Sequence, residues 1–345
     1  MMKKLAVLGA GSWGTALAVH LAARAPRGAD GLDVVLWSRR EDFAAELRRE
    51  RRNTPYLPGV ELPTNVRPTA DLDEAADADV VLVVVPSHGF RSAVRELLRR
   101  VPEGAPPKVL VSATKGIETD TLARMSQVSF EEALASDREV RFAVLTGPTF
   151  AAELARDVPS AAVVASEDPE LAAELRQQLS TPFLRLYSTV DVVGVELGGT
   201  SKNVIAIAAG VVAGLGLGHN TTAALLTRGL HEITRLGIAC GGQTRTLAGL
   251  AGMGDLVLTC TGGLSRNRRL GEQLAEGLTR EQATGSTPMV AEGVRNSLAV
   301  ARLAERRSVE MPITEQMVKV LYEGKDPRLS VEDLMTRELR SEAEL

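Results

Sequence analysis

Residues 4–25 read KLAVLGAGSWGTALAVHLAARA, and this stretch decides the fold. A short apolar run precedes glycines at positions 9, 11 and 14, and an apolar segment of helical character follows them. In a strand–turn–helix unit, the first glycine permits a tight turn and the second lets the backbone approach a pyrophosphate. The third allows close helix–strand packing, and the helix N-terminus adds N–H groups and a positive dipole. The stretch therefore predicts dinucleotide binding at Gly9, Gly11 and Gly14, with an incidental glycine-rich turn as the alternative.

Composition narrows the class of protein. The chain has 345 residues, 44 % of them hydrophobic and 24 % charged, which is typical of a globular protein of two domains. Its net charge of −4 argues against a nucleic-acid partner, because neutralising phosphates requires a basic surface. The two cysteines, Cys240 and Cys260, have no Cys or His neighbour at metal-ligand spacing. We therefore expect a reducing compartment, no disulfide and no metal.

Two apolar segments need to be tested as targeting or membrane signals. The N-terminus carries two lysines ahead of an apolar run, but glycines interrupt that run and no small-residue cleavage site closes it. The segment 203–218 is shorter than the ~20 residues of a membrane span and contains four glycines. We therefore expect a cytoplasmic protein without a membrane span.

The first half of the chain alternates short β-branched runs with amphipathic segments. Continuous Val/Leu/Ile runs suit strands that are buried on both faces, and the intervening helices suggest βαβ units. The predicted strands are 4–9, 33–37, 79–85, 108–114, 142–147, 161–166 and 183–188. This pattern predicts a Rossmann-type, doubly wound and mostly parallel α/β sheet in a dinucleotide-binding domain over residues 1–190.

The second half reads as helices. Apolar residues recur at helical spacing in 193–215, 221–239, 243–251, 268–278, 292–307 and 312–323. We predict an all-α C-terminal domain over 191–335 that carries the substrate and catalytic residues. The chain becomes highly charged from Gly324 onward, where we expect a solvated end, with 336–345 as a charged tail.

The second predicted strand ends in the sequence LWSRR (36–40). An NAD-specific site would usually place Asp or Glu at this point to bind the ribose 2′-hydroxyl. Arg39 and Arg40 stand there instead and could accept a 2′-phosphate. The segment predicts that NADP is accepted beside or above NAD, and a solvated start of a helix is the alternative reading of the two arginines.

Longer motifs follow along nearly the whole chain. They are GAGSWGTALA (9–18), NTPYLPG (53–59), VVPSH (84–88), SATKGIE (112–118), LTGPTFAAELA (145–155), ELGGTSKNVIAIAAG (196–210), LLTRGLHE (225–232), GMGDLVLTCTGGLSRNRRLG (252–271), MVAEG (289–293) and MPITE (311–315). In this order they resemble the bacterial NAD(P)-dependent glycerol-3-phosphate dehydrogenases. The chain departs from that pattern in a longer loop at 26–33 and in His219, where an acidic residue is common.

The resemblance implies an activity and a set of site residues. It implies reversible reduction of dihydroxyacetone phosphate to sn-glycerol 3-phosphate for glycerophospholipid synthesis, by a homodimer. The implied cofactor contacts beyond the glycine loop are Ser12, Trp13, Arg39, Arg40, Lys115, Ala151, Arg266, Val290 and Glu292. The implied substrate contacts are Lys115, Gly147, Thr149, Lys202, Asp255, Ser265, Arg266 and Asn267, with Lys202 as the acid/base.

Lys202 suits that role on chemical grounds. Between Glu196 and Arg228 it is the only formal charge. Hydride transfer to a ketone leaves an alkoxide that needs a proton, and burial lowers the pKa of a lysine toward the range where it can give one up. The alternative is a lysine whose ammonium reaches solvent from a domain boundary.

For the other polar residues the sequence allows more than one role. Asp255 could orient the Lys202 ammonium or cap a helix. Arg266, Arg268 and Arg269 form a potential phosphate site in which one arginine faces inward. Lys115 follows a buried strand at the edge where doubly wound sheets bind ligands, but it could also cap a helix C-terminus.

Two other functions compete with this reading. The first is a related two-domain dehydrogenase that acts on a β-hydroxy acid or on ketopantoate. Such a substrate bears a carboxylate in place of a phosphate. A non-catalytic dinucleotide sensor would bind the cofactor without turnover, but it would need neither Lys202 nor the SRN segment at 265–267.

Overall fold

The structure is a computed structural model that describes residues 2–24, 31–285, 291–339 and 341–342. The chain forms two compact units. One comprises Met1–Lys115 and Ala123–Val192, and the other comprises Gly116–Leu122 and Val193–Leu345. The predicted first domain is continuous over 1–190, whereas the structure assigns Gly116–Leu122 to the second unit. The reason is apolar packing, because Ile117 is buried in a cluster with helical residues of that unit.

The described residues of the first unit form ten strands. They are β1 (Lys4–Leu8), β2 (Asp33–Trp37), β3 (Arg52–Asn53), β4 (Leu57–Glu61), β5 (Val66–Thr69), β6 (Val80–Val83), β7 (Lys108–Ser112), β8 (Val140–Thr146), β9 (Ser160–Ala165) and β10 (Leu184–Thr189). Eight of them form one sheet in the order β10-β9-β8-β7-β6-β1-β2-β5, and β3 and β4 form a separate antiparallel hairpin. The prediction of a mostly parallel, Rossmann-type sheet is confirmed.

In the part of this unit that the structure describes, seven helices accompany these strands. They are α1 (Ser12–Arg24), α2 (Glu41–Glu50), α3 (Asp73–Ala76), α4 (Ser87–Leu98), α5 (Met125–Ala135), α6 (Ala151–Leu154) and α7 (Pro169–Leu179). Every residue of β6 is buried, as the continuous apolar runs of a sheet covered on both faces require. Strand β9 pairs antiparallel with β8, so the last two strands run opposite to the other six.

The second unit is helical, and its described residues contain no strand. Its elements are α8 (Val192–Gly214), α9 (Gly218–Ala239), α10 (Thr244–Leu247), a π-helical turn (Leu250–Gly254), α11 (Asp255–Thr261), α12 (Arg266–Ala275), α13 (Arg280–Gly285), α14 (Glu292–Arg306), α15 (Pro312–Tyr322) and α16 (Pro327–Met335). The all-α prediction is confirmed. From Gly324 onward most of the described residues are exposed, and Pro327–Met335 form helix α16, whose Asp326 side chain caps it by accepting from Arg328 N at 2.8 Å.

Helix α8 is the central helix of this unit. By length and composition it could cross a membrane, but 89 % of its most apolar window is buried inside the protein. The segments Thr244–Thr261 and Arg266–Ala275 meet at 47° and pass the same test only when taken together. Core helices of globular proteins have these properties too, so the finding is weak evidence for a membrane span.

Candidate active site

The glycine loop has the shape that a dinucleotide needs. Gly9 has φ +119°, and a Cβ there would lie 2.7 Å from Val84 O. A Cβ on Gly14 would lie 1.9 Å from Gly9 O, so only glycine allows α1 to pack this closely on the turn. Gly11, in contrast, has no heavy atom within 4 Å of its Cβ position. The loop is therefore crowded on its protein side and open at Gly11, which fits a pyrophosphate at the N-terminus of α1.

Ser12 and Trp13 form the first turn of α1. The Ser12 hydroxyl donates to Tyr56 O at 2.5 Å, so this side chain ties the loop to the β3–β4 hairpin. Trp13 is partly buried against the core of the sheet unit. Both residues lie where the sequence predicts cofactor contacts, and their backbone N–H groups belong to the helix N-terminus.

Arg39 and Arg40 follow β2, next to the glycine loop. Gly9 N donates to Trp37 O at 3.0 Å, which joins the loop to the end of β2. Both arginines are exposed, and the Arg40 guanidinium lies 5.0 Å from the ring centroid of Phe43. No acidic residue stands at 38–40, so this end of the strand offers two cations and no carboxylate for a ribose 2′-hydroxyl.

Three predicted residues of the sheet unit meet at the ends of β7 and β8. Lys115 Nζ donates to Gly147 O at 3.3 Å, and the Thr149 hydroxyl donates to the same oxygen at 3.3 Å. Gly147 has φ +153°, and a Cβ there would lie 2.7 Å from Ala162 Cα. Ala151 begins the short helix α6 directly afterwards. Lys115 thus reaches a loop carbonyl at the carboxyl edge of the sheet, where such folds bind ligands.

The helical unit holds a buried ion pair. Lys202 Nζ lies 2.6 Å from Asp255 Oδ1 and 2.6 Å from Thr259 Oγ1, and the two charged side chains are 6 % and 1 % exposed. Thr259 Oγ1 in turn donates to Asp255 O at 2.6 Å. The ammonium therefore does not reach solvent, and Asp255 contacts Lys202 directly and is not the cap of α11.

Close helix packing brings this pair together. Gly198 lies four residues before Lys202 and on the same face of α8. A Cβ on Gly198 would lie 2.9 Å from Ala251 O in the π-helical turn. Ala251 precedes Asp255 by four residues, so the backbone contact between α8 and the turn sets the distance between the two charged side chains. Single π-helical turns inside helices are frequent at functional sites.

The SRN segment contacts α8 one residue beyond the lysine. Asn267 Nδ2 donates to Asn203 Oδ1 at 2.9 Å, and Gly293 N donates to Asn267 Oδ1 at 3.0 Å. Ser265 caps α12 by accepting from Arg268 N at 3.2 Å. Asn203, next to Lys202, therefore fixes the segment that the sequence assigns to substrate binding.

Arg266 is the first residue of α12 and is exposed. Desolvation by nearby protein atoms lowers the pKa of its guanidinium, and the negative charge of Glu292 raises it. Because an arginine in contact with solvent stays charged at neutral pH, Arg266 is a cation. Arg268 instead pairs with Glu272 at 3.0 Å. Val290, which the sequence also predicts as a cofactor contact, lies outside the described residues.

Three other features can be described: Cys260, the potential metal ligands and His219. Burial raises the pKa of the Cys260 thiol to about 12, so this cysteine is neither a thiolate nor a nucleophile at neutral pH. Within the described ranges no three His, Cys, Asp or Glu side chains are grouped so that they could hold a metal ion. His219, the departure from the expected pattern, is exposed at the start of α9.

Two residues near the lysine were not assigned from sequence. Thr259 contacts both members of the ion pair, and Asn203 holds Asn267. Thr259 lies four residues after Asp255, so helical spacing from Asp255 could have revealed it. Asn203 directly follows the lysine, but its partner lies 64 residues away and only the fold brings them together.

These features define a dinucleotide-dependent dehydrogenase: a glycine loop at the head of a parallel sheet, and a buried lysine–aspartate pair in a helical unit. Comparison with known proteins narrows the class. Residues 4–172 match the family model of the NAD-dependent glycerol-3-phosphate dehydrogenase N-terminus, and residues 191–332 match that of the C-terminus. The chain belongs to the NAD-dependent glycerol-3-phosphate dehydrogenase family.

Individual relatives agree with this family over nearly the full length. The chain is 49 % identical to glycerol-3-phosphate dehydrogenase [NAD(P)+] of Geobacter sulfurreducens over 343 residues, covering 99 % of each chain. It is 50 % identical to the Geobacter metallireducens enzyme of the same name over 346 residues, again covering 99 % of each. The crystal structure of glycerol-3-phosphate dehydrogenase from Coxiella burnetii superposes with a TM-score of 0.90 at 38 % identity, covering 97 % of this chain and 99 % of that one.

Proposed function

We propose that this protein catalyses the reversible reduction of dihydroxyacetone phosphate to sn-glycerol 3-phosphate with NADPH or NADH. Family membership supports the reaction, and the absence of an acid at 38–40 supports acceptance of NADP beside NAD. The observation that carries the chemistry is the buried Lys202–Asp255 pair, because a sensor that only binds dinucleotide needs no such pair. The product supplies glycerophospholipid synthesis.

Lys202 is the proposed acid/base. Bound NAD(P)H supplies the hydride to the carbonyl carbon of the substrate. The carbonyl oxygen then carries a negative charge and takes a proton, which Lys202 Nζ donates; in the reverse direction the same nitrogen accepts the proton from the alcohol. Asp255 and Thr259 hold the ammonium at 2.6 Å each and so fix its direction. The positive charge also stabilises the developing alkoxide.

The remaining residues bind and orient the two ligands. Substrate contacts are proposed for Lys115, Gly147, Thr149, Lys202, Asp255, Ser265, Arg266 and Asn267. Cofactor contacts are proposed for Gly9, Gly11, Ser12, Trp13, Gly14, Arg39, Arg40, Lys115, Ala151, Arg266, Val290 and Glu292. In this assignment Arg266 provides the charge that recognises the substrate phosphate, because Arg268 is already paired with Glu272.

The domain roles and the cellular setting are part of the proposal. Residues 1–190 bind the dinucleotide, 191–335 carry the substrate and catalytic residues, and 336–345 form a charged tail. The enzyme acts as a cytoplasmic homodimer. The two family matches support the domain roles, and the low cysteine content supports a reducing compartment.

A spectrophotometric assay tests the function. Oxidation of NADPH and NADH is followed at about 340 nm with dihydroxyacetone phosphate, dihydroxyacetone or ketopantoate as substrate. We expect turnover with dihydroxyacetone phosphate and with both cofactors, and a large loss without the phosphate, because a charge-assisted contact contributes about 1.5–3 kcal/mol. Faster turnover of ketopantoate would assign the protein to the competing dehydrogenase class. Tight NADPH binding without any turnover would indicate a sensor.

A further inference from the structure

Asn53 lies at the end of β3 and is fully buried against the glycine loop. Its Nδ2 donates to Ala10 O at 2.9 Å and to Thr15 Oγ1 at 2.6 Å, and its Oδ1 accepts from Tyr56 N at 3.3 Å. The exposed fraction of the residue is 0 %. One side chain therefore joins the β3–β4 hairpin to both the glycine loop and the first turn of α1.

The orientation of the amide follows from its partners. Ala10 O can only accept a hydrogen bond, so the group that faces it must be the NH₂ of Asn53 and not its oxygen. Both N–H bonds of that NH₂ are used, and the oxygen meets the N–H of Tyr56. No rotated arrangement of the amide satisfies the same three partners, so the side chain is locked.

The bond to Ala10 O also orients Gly11. Ala10 C=O and Gly11 N–H belong to one peptide group, and the described peptides are all trans. In a trans peptide the C=O and the N–H point in opposite directions. When Asn53 holds the carbonyl toward the hairpin, the Gly11 N–H must point away from it. Gly11 is also the glycine with no heavy atom within 4 Å of its Cβ position, so a phosphate can approach the loop at this residue.

The hairpin makes two further contacts around the dinucleotide site. Tyr56 O accepts the Ser12 hydroxyl at 2.5 Å, beside the Asn53 bonds. The Tyr56 ring packs edge-on against Phe43, with 5.6 Å between the ring centroids. The Arg40 guanidinium in turn lies 5.0 Å from the ring centroid of Phe43. The hairpin thus contacts both the glycine loop and the side chain that supports Arg40.

We infer that Asn53 is a positioning residue for dinucleotide binding: its amide holds the Ala10 carbonyl so that the Gly11 N–H is presented to the pyrophosphate of NAD(P). The inference rests on the proposed function only for the identity of the ligand as NAD(P)H. The residue does not touch the reacting atoms. Its loss should therefore raise the dissociation constant of the dinucleotide and leave proton transfer at Lys202 unchanged.

The chain offers a matched control in Asn65. Its Nδ2 also donates two hydrogen bonds, in this case to the backbone carbonyls Ala22 O at 2.9 Å and Leu32 O at 2.8 Å, at the far end of α1. Asn53→Asp and Asn65→Asp each keep the size of the side chain and place a carboxylate oxygen against at least one backbone carbonyl, Ala10 O in the first variant. Both variants should lose thermal stability, because each leaves at least one backbone carbonyl without its donor.

The test is direct titration of NADPH, followed by fluorescence, with steady-state kinetics alongside. For Asn53→Asp we expect the Kd for NADPH to rise about tenfold or more, since an unsatisfied buried partner costs 1–3 kcal/mol. The kcat at saturating NADPH and the KM for dihydroxyacetone phosphate should change less than about threefold. Asn65→Asp should leave the Kd for NADPH unchanged.

The outcomes separate the alternatives. An equal rise in Kd for both asparagine variants, in proportion to lost stability, would show a merely structural role and overturn the inference. An unchanged Kd in a folded Asn53→Asp protein would do the same. If that variant does not fold, Asn53→Ser, which keeps a shorter donor, should still raise the Kd several-fold. Binding is measured without turnover, so failure of the dehydrogenase assay would leave this test intact.

Discussion

A buried carboxylate in the helical unit should make its stability depend on pH. Glu232 on α9 is 1 % exposed and accepts from Ile313 N at 2.7 Å and from Thr314 N at 3.3 Å, at the N-terminus of α15. Burial raises the pKa of Glu232 from 4.5 to about 7, although the two N–H groups and Arg235 lower it. Desolvation is the larger effect because it acts on the whole carboxylate.

The sign of the effect follows from this raised pKa. In the unfolded chain Glu232 loses its proton near its ordinary pKa of 4.5, whereas in the fold it keeps the proton up to about pH 7. Its contribution to the free energy of unfolding is therefore intact below pH 4.5 and is lost as the pH rises to 7. At 1.36 kcal/mol per pKa unit, about 2–3 kcal/mol is lost between pH 5 and pH 8.

Substitution of Glu232 by glutamine removes this dependence. Glu232→Gln keeps an oxygen for Ile313 N but carries no charge, so its stability relative to the wild type should rise by about 2–3 kcal/mol between pH 5 and pH 8. For a protein of this size that corresponds to roughly 5 °C in the thermal midpoint. Thermal denaturation across this pH range measures it. Glu315→Gln, an exposed site in the first turn of α15, is the control and should track the wild type.

A Glu232→Gln protein whose midpoint stays at a constant offset from the wild type from pH 5 to pH 8 would refute the reasoning. It would mean that the two backbone N–H groups compensate for burial and that Glu232 is ionised throughout.

Two further predictions concern ligand recognition. The double variant Arg39→Ala, Arg40→Ala should raise the KM for NADPH about ten- to a hundredfold and leave the KM for NADH nearly unchanged, because only NADPH has a 2′-phosphate. If the ratio of the two KM values is the same as in the wild type, the arginines do not contact the cofactor. Arg266→Ala should raise the KM for dihydroxyacetone phosphate and reduce the enzyme's preference for this substrate over dihydroxyacetone. Arg268→Ala should do neither, because Arg268 is paired with Glu272. If Arg268→Ala has the larger effect, Arg268 is the residue that binds the phosphate.

Strands β1, β6 and β7, at the centre of the sheet, could be predicted because most of their residues are buried. Each reads as a continuous apolar run, and predicted and observed bounds of β6 and β7 differ by at most two residues. The β3–β4 hairpin and β5 carry no such signal. Strand β5 has the sequence VRPT at the edge of the sheet, where a proline is tolerated but is not expected from a strand pattern. That missed hairpin is the element that holds the glycine loop.

The site could be predicted only in part, for a similar reason. Lys202 stands out because it is the only charge in a long apolar segment, and that signal is local. Its contact with Asp255 spans 53 residues and depends on the close approach of α8 to the π-helical turn. The sequence GMG before Asp255 suggests tight packing, but which helix it packs against is a property of the whole fold. Asn53 was not assigned at all because two of its three partners, Ala10 O and Tyr56 N, are backbone groups, which leave no side-chain pattern in the sequence.

The central claim is that Lys202 transfers the proton. Lys202→Met removes the ammonium but leaves Asp255 buried without its partner, which costs stability. Lys202→Arg keeps a cation beside Asp255 and holds its proton at all accessible pH values. Lys319→Arg, at a half-buried lysine on α15, is the matched control and should behave as the wild type.

The most direct measurement is therefore the turnover of dihydroxyacetone phosphate by Lys202→Arg, together with its Kd for NADPH. We predict a folded protein that binds NADPH as the wild type does, with kcat lower by about 10²–10⁴, the usual contribution of a positioned acid/base. A variant that binds NADPH normally and keeps more than about a tenth of wild-type kcat would contradict the claim. Lys115 would then be the remaining lysine at the predicted substrate site.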